Sequence, residues 1–477
     1  MYDVCIIKES IFEYPNAQMN YSPSVQYPEY PFNVISNDTN YIYDMVRSML
    51  IAMEMDKEQI EKASWNPLGT IIAPGDRVLV KPNWVNNINA CASIDCMVTH
   101  PSVVRAIVDY CVIAKAGEII IADAPIQGCN IYDLWSKQNY EQMIEFYRRN
   151  GVDLKICDLR ERIVNVYKGH VSNIHYNVSP SIIVDMSHES EFTNSQSNNN
   201  KYGIIGYSPK KINENHRMGK HIYKISKKAM EADVIINISK PKTHRYAGIT
   251  AAMKNFVGVC ADKECLPHFT YGATQEGGDE NNSNTVFSKR RRVWEDKYLE
   301  SQEANRKALS AISRLIYGGY KVLMGNKHSN GAWYGNDTIW RTIHDLNYAL
   351  IYADKDGVIH PGKRQRNILN VGDMIIAGEG AGPLSPSPKP LGIIIGSTNA
   401  VVFDLAVCRI MGLTEEKILS VRNALHSAAL MDKCIEDVVI ASNLSEIHMH
   451  KLIRWSAPKE WAFIQHPAWK EFLEESV

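Results

Sequence analysis

The sequence has little net charge and no long hydrophobic run. Its 52 Lys and Arg residues nearly balance its 53 Asp and Glu residues, which gives a formal net charge of −1. A chain this close to neutral produces no overall field that would attract nucleic acid or an anionic membrane surface. No apolar run approaches the roughly 18 residues that a membrane-spanning helix needs. We therefore expect neither nucleic acid nor a membrane as a partner.

The sequence also lacks the common cysteine motifs. Its 10 cysteines are scattered and include no C-x-x-C pair and no ferredoxin run. Two pairs, Cys91 with Cys96 and Cys260 with Cys265, have a spacing at the edge of what zinc sites use, and we interpret them as free thiols. This disfavours an iron–sulfur or other metal redox protein, which stays as an alternative.

The predicted location is cytoplasmic. Scattered cysteines in a chain of 477 residues suit reduced thiols, as in the cytosol. The first apolar run is short and contains Asp3 and Lys8, so it is typical of a first strand and not of a signal peptide.

Short β-branched runs alternate with helical patterns along the chain. This alternation is typical of parallel sheets covered by helices. It predicts an α/β fold with two α/β lobes, mostly parallel sheets and a cleft between the lobes. Strands are predicted near 3–8, 76–81, 118–123, 153–158, 233–238, 374–378, 392–396 and 437–441, and helices near 40–55, 101–115, 141–149, 300–318, 337–350 and 402–428. The predicted divisions are an N-terminal lobe over 1–270, an insertion and connecting helix over 271–335, and a C-terminal lobe with a helical tail over 336–477.

Two polar stretches interrupt this pattern and are predicted to be surface insertions. Residues 186–230 contain an Asn- and Ser-rich run followed by a basic run. Residues 272–299 contain Lys289, which three arginines follow directly. We interpret both charge runs as solvated faces, with a funnel for a small anionic substrate as the alternative. Neither resembles a nucleic-acid-binding module. The sequence leaves the oligomeric state open.

Polar residues follow several of the predicted strands. In open α/β sheets ligands bind beyond the carboxyl ends of the strands, so these side chains are candidate substrate-binding groups. For Asp123 a simple strand-ending turn is the alternative, and Glu379 lies in a glycine-rich turn that would place it in the cleft. Asp404 is interpreted as a helix cap. The candidates are Lys81, Asn83, Asp123, Lys240, Lys242 and Glu379.

Arg341 is a further candidate for substrate contact. It lies in a predicted helix that begins near Asp337 and also carries His344, Asp345 and Asn347. A guanidinium can hold a carboxylate through two parallel hydrogen bonds. The alternative is an exposed helical face.

The strongest functional signal lies in residues 240–268. His244, Lys254 and His268 follow the buried-strand pattern of 233–237 and are interspersed with small residues such as Ala247 and Gly248. Small residues leave room for a ligand, and glycine permits close approach of the backbone. We interpret this stretch as a site, with a solvated turn as the alternative.

Residues 233–258 resemble the bacterial family known as domain of unknown function 362, whose hallmark is a K-P-K-x-H…K-N-x-x-G run. Further matches lie at 78–83, 99–101 and 378–383, and at Asp404, Cys408 and Gly412. Because the matches cover most of the chain, it is identified as a member of that family. The family's name establishes no activity.

A more distant resemblance suggests a chemistry. The segment from His244 to Lys254 is similar to the H-Y-x-A-G-x-x-x-x-x-K segment of nickel-pincer lactate racemases. The resemblance implies their fold, a catalytic acid/base role for His244, a covalent nickel-pincer nucleotide on Lys254, a second acid/base at His100, and nickel binding by His268 or a cysteine. The racemases carry an Asp-x-x-Arg substrate clamp where this chain has the run 81–84, so lactate itself is not implied.

These observations favour an isomerase- or lyase-like enzyme that acts on a small anionic substrate. His100 and His244 would face each other and perform epimerisation, elimination or redox chemistry at a carbon next to a carboxylate or alcohol. The electrophile would be the nickel-pincer nucleotide or another metal centre, or Lys254 would form a Schiff base. The alternative is a non-catalytic anion-binding or scaffold protein, in which Lys240, Lys242, Arg245 and Lys254 form the receptor.

Overall fold

A computed structural model gives the fold. It describes residues 2–167, 170–176, 179–193, 201–281 and 330–474. Between 282 and 329 it describes only 293–294, 297–298, 301, 308–309, 311–312, 315–316 and 318–319. The run with Lys289, most of the predicted helix 300–318 and the polar run 194–200 lie outside the described residues.

The described residues form strands and helices that alternate for most of the chain. The strands are β1 Val4–Lys8, β2 Arg77–Lys81, β3 Glu118–Asp123, β4 Leu154–Asp158, β5 Arg162–Tyr167, β6 His170–Tyr176, β7 Ser181–Asp185, β8 Tyr202–Gly203, β9 His216–Arg217, β10 Lys220–Ser226, β11 Val234–Ser239, β12 Lys242–His244, β13 Gly248–Thr250, β14 Phe269–Thr270, β15 Asn367–Ala381, β16 Ser385–Ser397 and β17 Ile440–Ser442. The helices are α1 Tyr41–Ala52, α2 Pro101–Ile113, α3 Ile131–Lys137, α4 Tyr140–Arg149, α5 Pro209–Asn215, α6 Lys227–Met230, α7 Ala252–Asn255, α8 Ile339–Tyr352, α9 Ala400–Ile410, α10 Leu419–Leu425 and α11 Lys470–Glu474. None of these helices is long and apolar enough to cross a bilayer.

One sheet of 10 strands organises the molecule. Its order is β17-β1-β16-β15-β11-β2-β3-β4, and off this path β12 pairs with β15 and β13 pairs with β12. The strands from β15 to β4 are parallel to one another, as are β1 and β17, whereas β16 is antiparallel to both of its neighbours. The predicted mixed α/β fold with a largely parallel sheet is confirmed.

Strands from both halves of the chain share this sheet. β1 lies between β16 and β17, and β11 pairs with β15. The proposed divisions at 270 and 335 therefore do not coincide with a break in the sheet, and the domain boundaries stay a prediction.

The sequences of the central strands are continuous apolar runs, because the side chains on both faces of the sheet are buried. All six residues of β11 are buried. Its side chains alternate between two cores, since Val234 and Ile236 pack in the core that contains α1 and α2, and Ile235 packs in the core that contains α8 and α9. Alternation of this kind follows from the two-residue period of a strand.

Part of the basic run in 186–230 is a strand and not a solvated insertion. β10 pairs with β7, and its burial alternates residue by residue. Lys220 and Lys224 lie on the more exposed face, and Tyr223 and Ile225 are fully buried. Within the basic run, the two lysines of the strand and its buried apolar residues fall in opposite phases of a two-residue period, and this alternation was the sequence signal for the strand.

Candidate active site

The carboxyl ends of three neighbouring parallel strands meet at one edge of the sheet. β2 ends at Lys81, β3 ends at Asp123, and β11 leads into the 240–244 segment. Lys81 Nζ lies 2.8 Å from Asp123 Oδ1, and both side chains are buried. Asp123 Oδ2 accepts a hydrogen bond of 2.6 Å from the Trp84 backbone N–H. This ion pair ties the loop after β2 to the end of β3.

A chain of amides and lysines extends from this ion pair. Asn255 Oδ1 accepts hydrogen bonds from Lys81 Nζ at 3.2 Å and from Asn83 Nδ2 at 2.6 Å. Asn83 Oδ1 in turn accepts one from Lys242 Nζ, which also donates to the Lys240 backbone carbonyl at 3.1 Å. Burial, reinforced by the nearby Lys240 charge, holds the pKa of Lys242 well below its usual range. The network fixes the position of Asn255, and therefore of α7, which carries Lys254.

A cavity of about 460 Å³ opens beside this network. Its lining includes three of the residues that the sequence singled out, His244, Lys254 and His268, together with Asn83 and Asp123. Apolar side chains make much of the remaining wall, and they include residues of the loop after β3, of 204–207 and of 383–384. A concave, largely apolar pocket with a few polar groups is the usual form of a small-molecule site.

His244 is held in one tautomer by its own loop. Its Nδ1 accepts hydrogen bonds from the backbone N–H groups of Tyr246 at 3.1 Å and Ala247 at 3.2 Å. A neutral imidazole that accepts at Nδ1 carries its proton at Nε2. Burial first, and then the charges of Lys254 and Arg245, keep the pKa of His244 well below its usual range. His244 is therefore a neutral hydrogen-bond donor, and this tautomer does not suit the predicted role of a proton-accepting base.

His268 has the opposite tautomer. Its Nδ1 lies 2.9 Å from the Leu266 carbonyl oxygen, so Nδ1 carries the proton and donates it. Burial and the nearby Lys254 charge lower the pKa of His268 to about 3. Its Nε2 therefore keeps a free lone pair, which could accept a hydrogen bond or bind a metal.

Lys254 is the third polar group of the cavity. Within the described part of the chain its amine has no hydrogen-bond or salt-bridge partner. Burial is the main reason that its pKa falls to about 7, and the charges of Lys263 and Lys81 add to the effect. Asp404 accepts hydrogen bonds from the backbone N–H groups of Ala252 at 2.7 Å and Met253 at 3.3 Å, so it caps α7 and holds Lys254 in place. The prediction that Asp404 caps its own helix is wrong, because Asn399 caps α9 and Asp404 lies inside that helix.

Gly258 is required by the ion pair at the floor of the cavity. A Cβ atom at this position would lie 2.1 Å from Asp123 Oδ1 and 2.6 Å from Lys81 Nζ. We expect Gly258→Ala to displace the ion pair and to lower the thermal unfolding midpoint by several degrees, because overpacking of a core costs about 1 to 3 kcal/mol. Gly319→Ala, at an exposed position with open space around the glycine and no left-handed backbone, is the comparison. Equal midpoints for the two variants would contradict this reading.

His100 does not line this cavity. It stands immediately before α2, and its ring stacks on Tyr14 with the centroids 3.9 Å apart. Its Nδ1 accepts from the Ser102 backbone N–H, and its own backbone N–H donates to Asp373. Lys240 belongs to the same group, since its Nζ lies 3.0 Å from Asp373 Oδ2. The structure therefore separates His100 and Lys240 from His244, and the predicted facing pair is not formed in this cavity.

Glu379 and Arg341 also lie outside the cavity. Glu379 belongs to β15, and its Oε2 accepts a hydrogen bond of 2.8 Å from the Ile464 backbone N–H, so it fastens the C-terminal segment to the sheet. Arg341 is bound to the Asp337 carboxylate at 2.8 Å and to the Glu191 carbonyl at 2.8 Å. Both side chains have internal partners, which corrects the expectation that they bind substrate here.

A metal site made by the protein alone finds no support in the described residues, where no group of three His, Cys, Asp or Glu side chains is placed to hold an ion. Cys260 and Cys265 are buried, and burial raises the pKa of both thiols. His268 is the one predicted metal ligand that lines the cavity.

Sequence reasoning missed several polar residues that line the cavity, among them Gln127. Asn255 was visible within the K-N-x-x-G part of the family hallmark, and Lys263 lies in the stretch already singled out. No sequence pattern indicated Thr250 and Arg162, because their presence in the cavity lining depends on how β13 and β5 pack against the edge of the sheet.

Comparisons with known proteins give a family and two distant structural matches. The family model described as Domain of unknown function (DUF362) matches residues 78–183 and 196–409. A crystal structure of a Thermotoga maritima protein is 9% identical with a TM-score of 0.27, and the match covers 74% of this chain and 54% of that one. The lactate racemase apoprotein from Thermoanaerobacterium thermosaccharolyticum is 12% identical with a TM-score of 0.30, and the match covers 78% of this chain and 55% of that one. The chain thus spans about half the length of each of these two structures. No curated protein matches the sequence.

Proposed function

The chain belongs to the family described as Domain of unknown function (DUF362), a description that names no reaction, and from its cavity we propose an enzyme that moves a proton at a carbon next to the carboxylate or alcohol of a small anion. One observation carries the proposal. Lys254 has a pKa of about 7 and lines a cavity in which His244 offers an Nε2–H. A base and a hydrogen-bond donor in one pocket are the minimum that such chemistry requires.

Each residue takes the role that its protonation state allows. The uncharged amine of Lys254 accepts the proton from carbon, since a base with a pKa near the working pH is the most effective. The His244 Nε2–H donates to the oxygen on which negative charge develops. His268 Nε2 has a lone pair and can accept a hydrogen bond from the substrate, whereas burial lowers its pKa to about 3, so it holds no proton to return to carbon near neutral pH. In this proposal His268 replaces His100 as the second histidine, because His268 lines the cavity.

The test is hydrogen exchange at carbon in D₂O. A panel of 2-hydroxy and aryl-substituted carboxylates would be incubated with the protein and followed by NMR for loss of the proton next to the carboxylate. We expect exchange with at least one compound, at a rate that rises with pH and is half-maximal near pH 7. The sign follows from Lys254, whose amine is protonated and inactive below its pKa of about 7 and free above it. A rate independent of pH between about 5.5 and 8.5 would contradict the role of Lys254.

A second candidate uses Lys254 as a point of covalent attachment. An uncharged amine is also a nucleophile, which can condense with a substrate carbonyl and release water to form an imine. The same amine could hold the pincer nucleotide of the distant racemase resemblance, with His268 Nε2 as the protein ligand to its nickel. That group would supply a hydride acceptor. It requires an amine and one free imidazole nitrogen from the protein, and the residues that carry them, Lys254 and His268, line the cavity.

Mass spectrometry separates these candidates. Protein purified from its native host would be analysed for intact mass, for an adduct mapped to Lys254 and for metal content. An adduct with about one nickel per chain supports the cofactor version. If the purified protein is unmodified, it is treated with a 2-oxo acid and borohydride, and a gain of substrate mass at Lys254 then supports the imine version. If Lys254 carries no adduct either as purified or after borohydride treatment, the amine acts as a base.

A further inference from the structure

Four hydrogen-bond donors on residues that line the cavity have no acceptor among the described residues. The hydroxyl of Thr250 and the Nε of Arg245 are buried and have no hydrogen-bond partner, and the described residues also provide no acceptor for His244 Nε2 or Lys254 Nζ. All four residues line the cavity. A buried donor without an acceptor costs about 1 to 3 kcal/mol. The site is therefore built to receive a ligand that brings acceptors.

The charges of the cavity also favour an anion. Among the lining residues Asp123 is the carboxylate, and it is already bound to Lys81. Lys263 donates to the Val257 carbonyl at 3.2 Å and has no carboxylate partner among the described residues. Arg245 lies over the ring of Tyr246, with its Cζ 4.8 Å from the ring centroid, and likewise has no described carboxylate partner. The pocket thus has cationic groups that no internal anion neutralises.

A large part of the cavity wall is apolar. It is formed by Val85, Ile126, Ile204, Ile205, Leu266 and Leu384. A volume of about 460 Å³ lies within the range of roughly 300 to 1,000 Å³ that is usual for ligand pockets, and a three-carbon acid would leave most of it unfilled. Burial of an apolar group against such a wall contributes about 25 cal/mol per Å² of area removed from water. The ligand that best fits this wall has an apolar body.

We propose that the substrate of this site is an amphipathic carboxylate, with its acid group bound by Arg245 and Thr250 and an aromatic or branched aliphatic body against Ile126, Ile204 and Ile205. The inference rests on the proposed function, because it names the substrate class of the same cavity.

A carboxylate fits the donors better than a phosphate does. The donors are side chains, and the planar guanidinium of Arg245 matches the two oxygens of a carboxylate. Phosphate sites commonly use the backbone N–H groups at a helix N-terminus. At the helix that borders this cavity, α7, the N–H groups of Ala252 and Met253 are already bound by Asp404.

Four probes test the two parts of the ligand separately. Isothermal titration calorimetry would compare phenylacetate, acetate, 2-phenylethanol and phenyl phosphate with the full chain. We expect phenylacetate to bind at least about ten times more tightly than each of the other three. Acetate lacks the phenyl ring, whose burial contributes about 1.5 to 3 kcal/mol. The alcohol lacks the charged acid group, and the phosphate lacks the planar pair of oxygens that matches a guanidinium. Equal affinity for acetate overturns the apolar body, and equal affinity for 2-phenylethanol overturns the acid group. Tighter binding of phenyl phosphate overturns the carboxylate, and no binding of any probe overturns the proposal as a whole.

Two variants locate the groups within the cavity. Arg245→Met should weaken phenylacetate by about ten-fold or more and leave 2-phenylethanol unchanged. Ile205→Ala should weaken phenylacetate and leave acetate unchanged. Arg149→Met, at an exposed position on α4, is the matched control for Arg245→Met and should bind as the parent protein does. Should Arg245→Met fail to fold, Thr250→Val tests the acid end with a substitution of similar shape, and unaltered phenylacetate binding in Thr250→Val would remove Thr250 from the site.

A failure of the proposed ligand class can be distinguished from a failure of the proposed function, because the binding measurement requires no turnover. Selective phenylacetate binding without proton exchange on any carboxylate would contradict the enzyme and leave the ligand class standing. Exchange on acetate as fast as on phenylacetate would contradict the ligand class and leave the enzyme standing.

Discussion

Replacement of Lys254 by methionine is expected to lower the rate of proton exchange by about 10²- to 10⁴-fold, the usual contribution of a general base. Methionine keeps an unbranched side chain of similar length in the buried site but cannot accept a proton. The measurement is the exchange rate in D₂O by NMR, at a pH above 7 where the Lys254 amine is uncharged. Fold is checked by the thermal unfolding midpoint, which we expect to stay the same or to rise, because a buried amine without a carboxylate partner is removed.

Lys254→Arg separates catalysis from anion binding. Arginine keeps a positive charge but never becomes an uncharged base at neutral pH, since its pKa lies above about 12. In the enzyme this variant should be as inactive as Lys254→Met while still binding phenylacetate. In a non-catalytic anion receptor, Lys254→Met would weaken binding and Lys254→Arg would preserve it, with no exchange in any protein. Lys155→Met, on the surface beside Glu118, should retain the parent rate, and a Lys254→Met protein with that same rate would exclude Lys254 as the base.

The central strands and the location of the site were predictable from local sequence. β2, β3 and β11 are apolar runs that end in polar residues, and parallel strands bring those ends to one edge. The small residues that follow His244 indicated a cavity there. The tautomer of His244 was not predictable, because it depends on two backbone N–H groups that turn back towards its Nδ1.

The residues that were placed elsewhere share a physical reason. His100, Glu379 and Arg341 each follow or belong to an element near the sheet, but long-range partners determine where their side chains lie. Asp373 on β15 binds the loop of His100, and the Ile464 segment binds Glu379. Such contacts join residues more than 80 positions apart, and no pattern within one element indicates them.

The shared sheet is a further feature that local patterns did not indicate. The period of β1 predicts a buried strand but not its neighbours, which come from residues 393–397 and 440–442. The first strand lies between two late strands, so both halves of the sequence contribute strands to one sheet. The cavity reflects the same arrangement, since Asp123 and Leu384 line it together.

The Lys81–Asp123 ion pair should be the most sensitive structural position of the site. Asp123→Asn removes the charge that balances Lys81 in a buried environment, although Asn255 and the Pro82 carbonyl still accept from Lys81 Nζ. Loss of one partner of a buried pair costs about 3 to 5 kcal/mol, because the other charge is left uncompensated. We expect a loss of this size in the free energy of unfolding, measured by guanidinium denaturation.

The double variant Lys81→Met with Asp123→Asn identifies the cause of that loss. If an unpaired charge is responsible, removal of Lys81 as well should recover part of the stability, since apolar replacements of buried pairs are often tolerated. Asp153→Asn, which breaks a solvent-exposed contact with Lys155, should cost less than about 1 kcal/mol. A double variant that is less stable than Asp123→Asn alone would show that Lys81 stabilises the fold through its hydrogen bonds to Asn255 and Pro82, and that charge balance is not its main contribution.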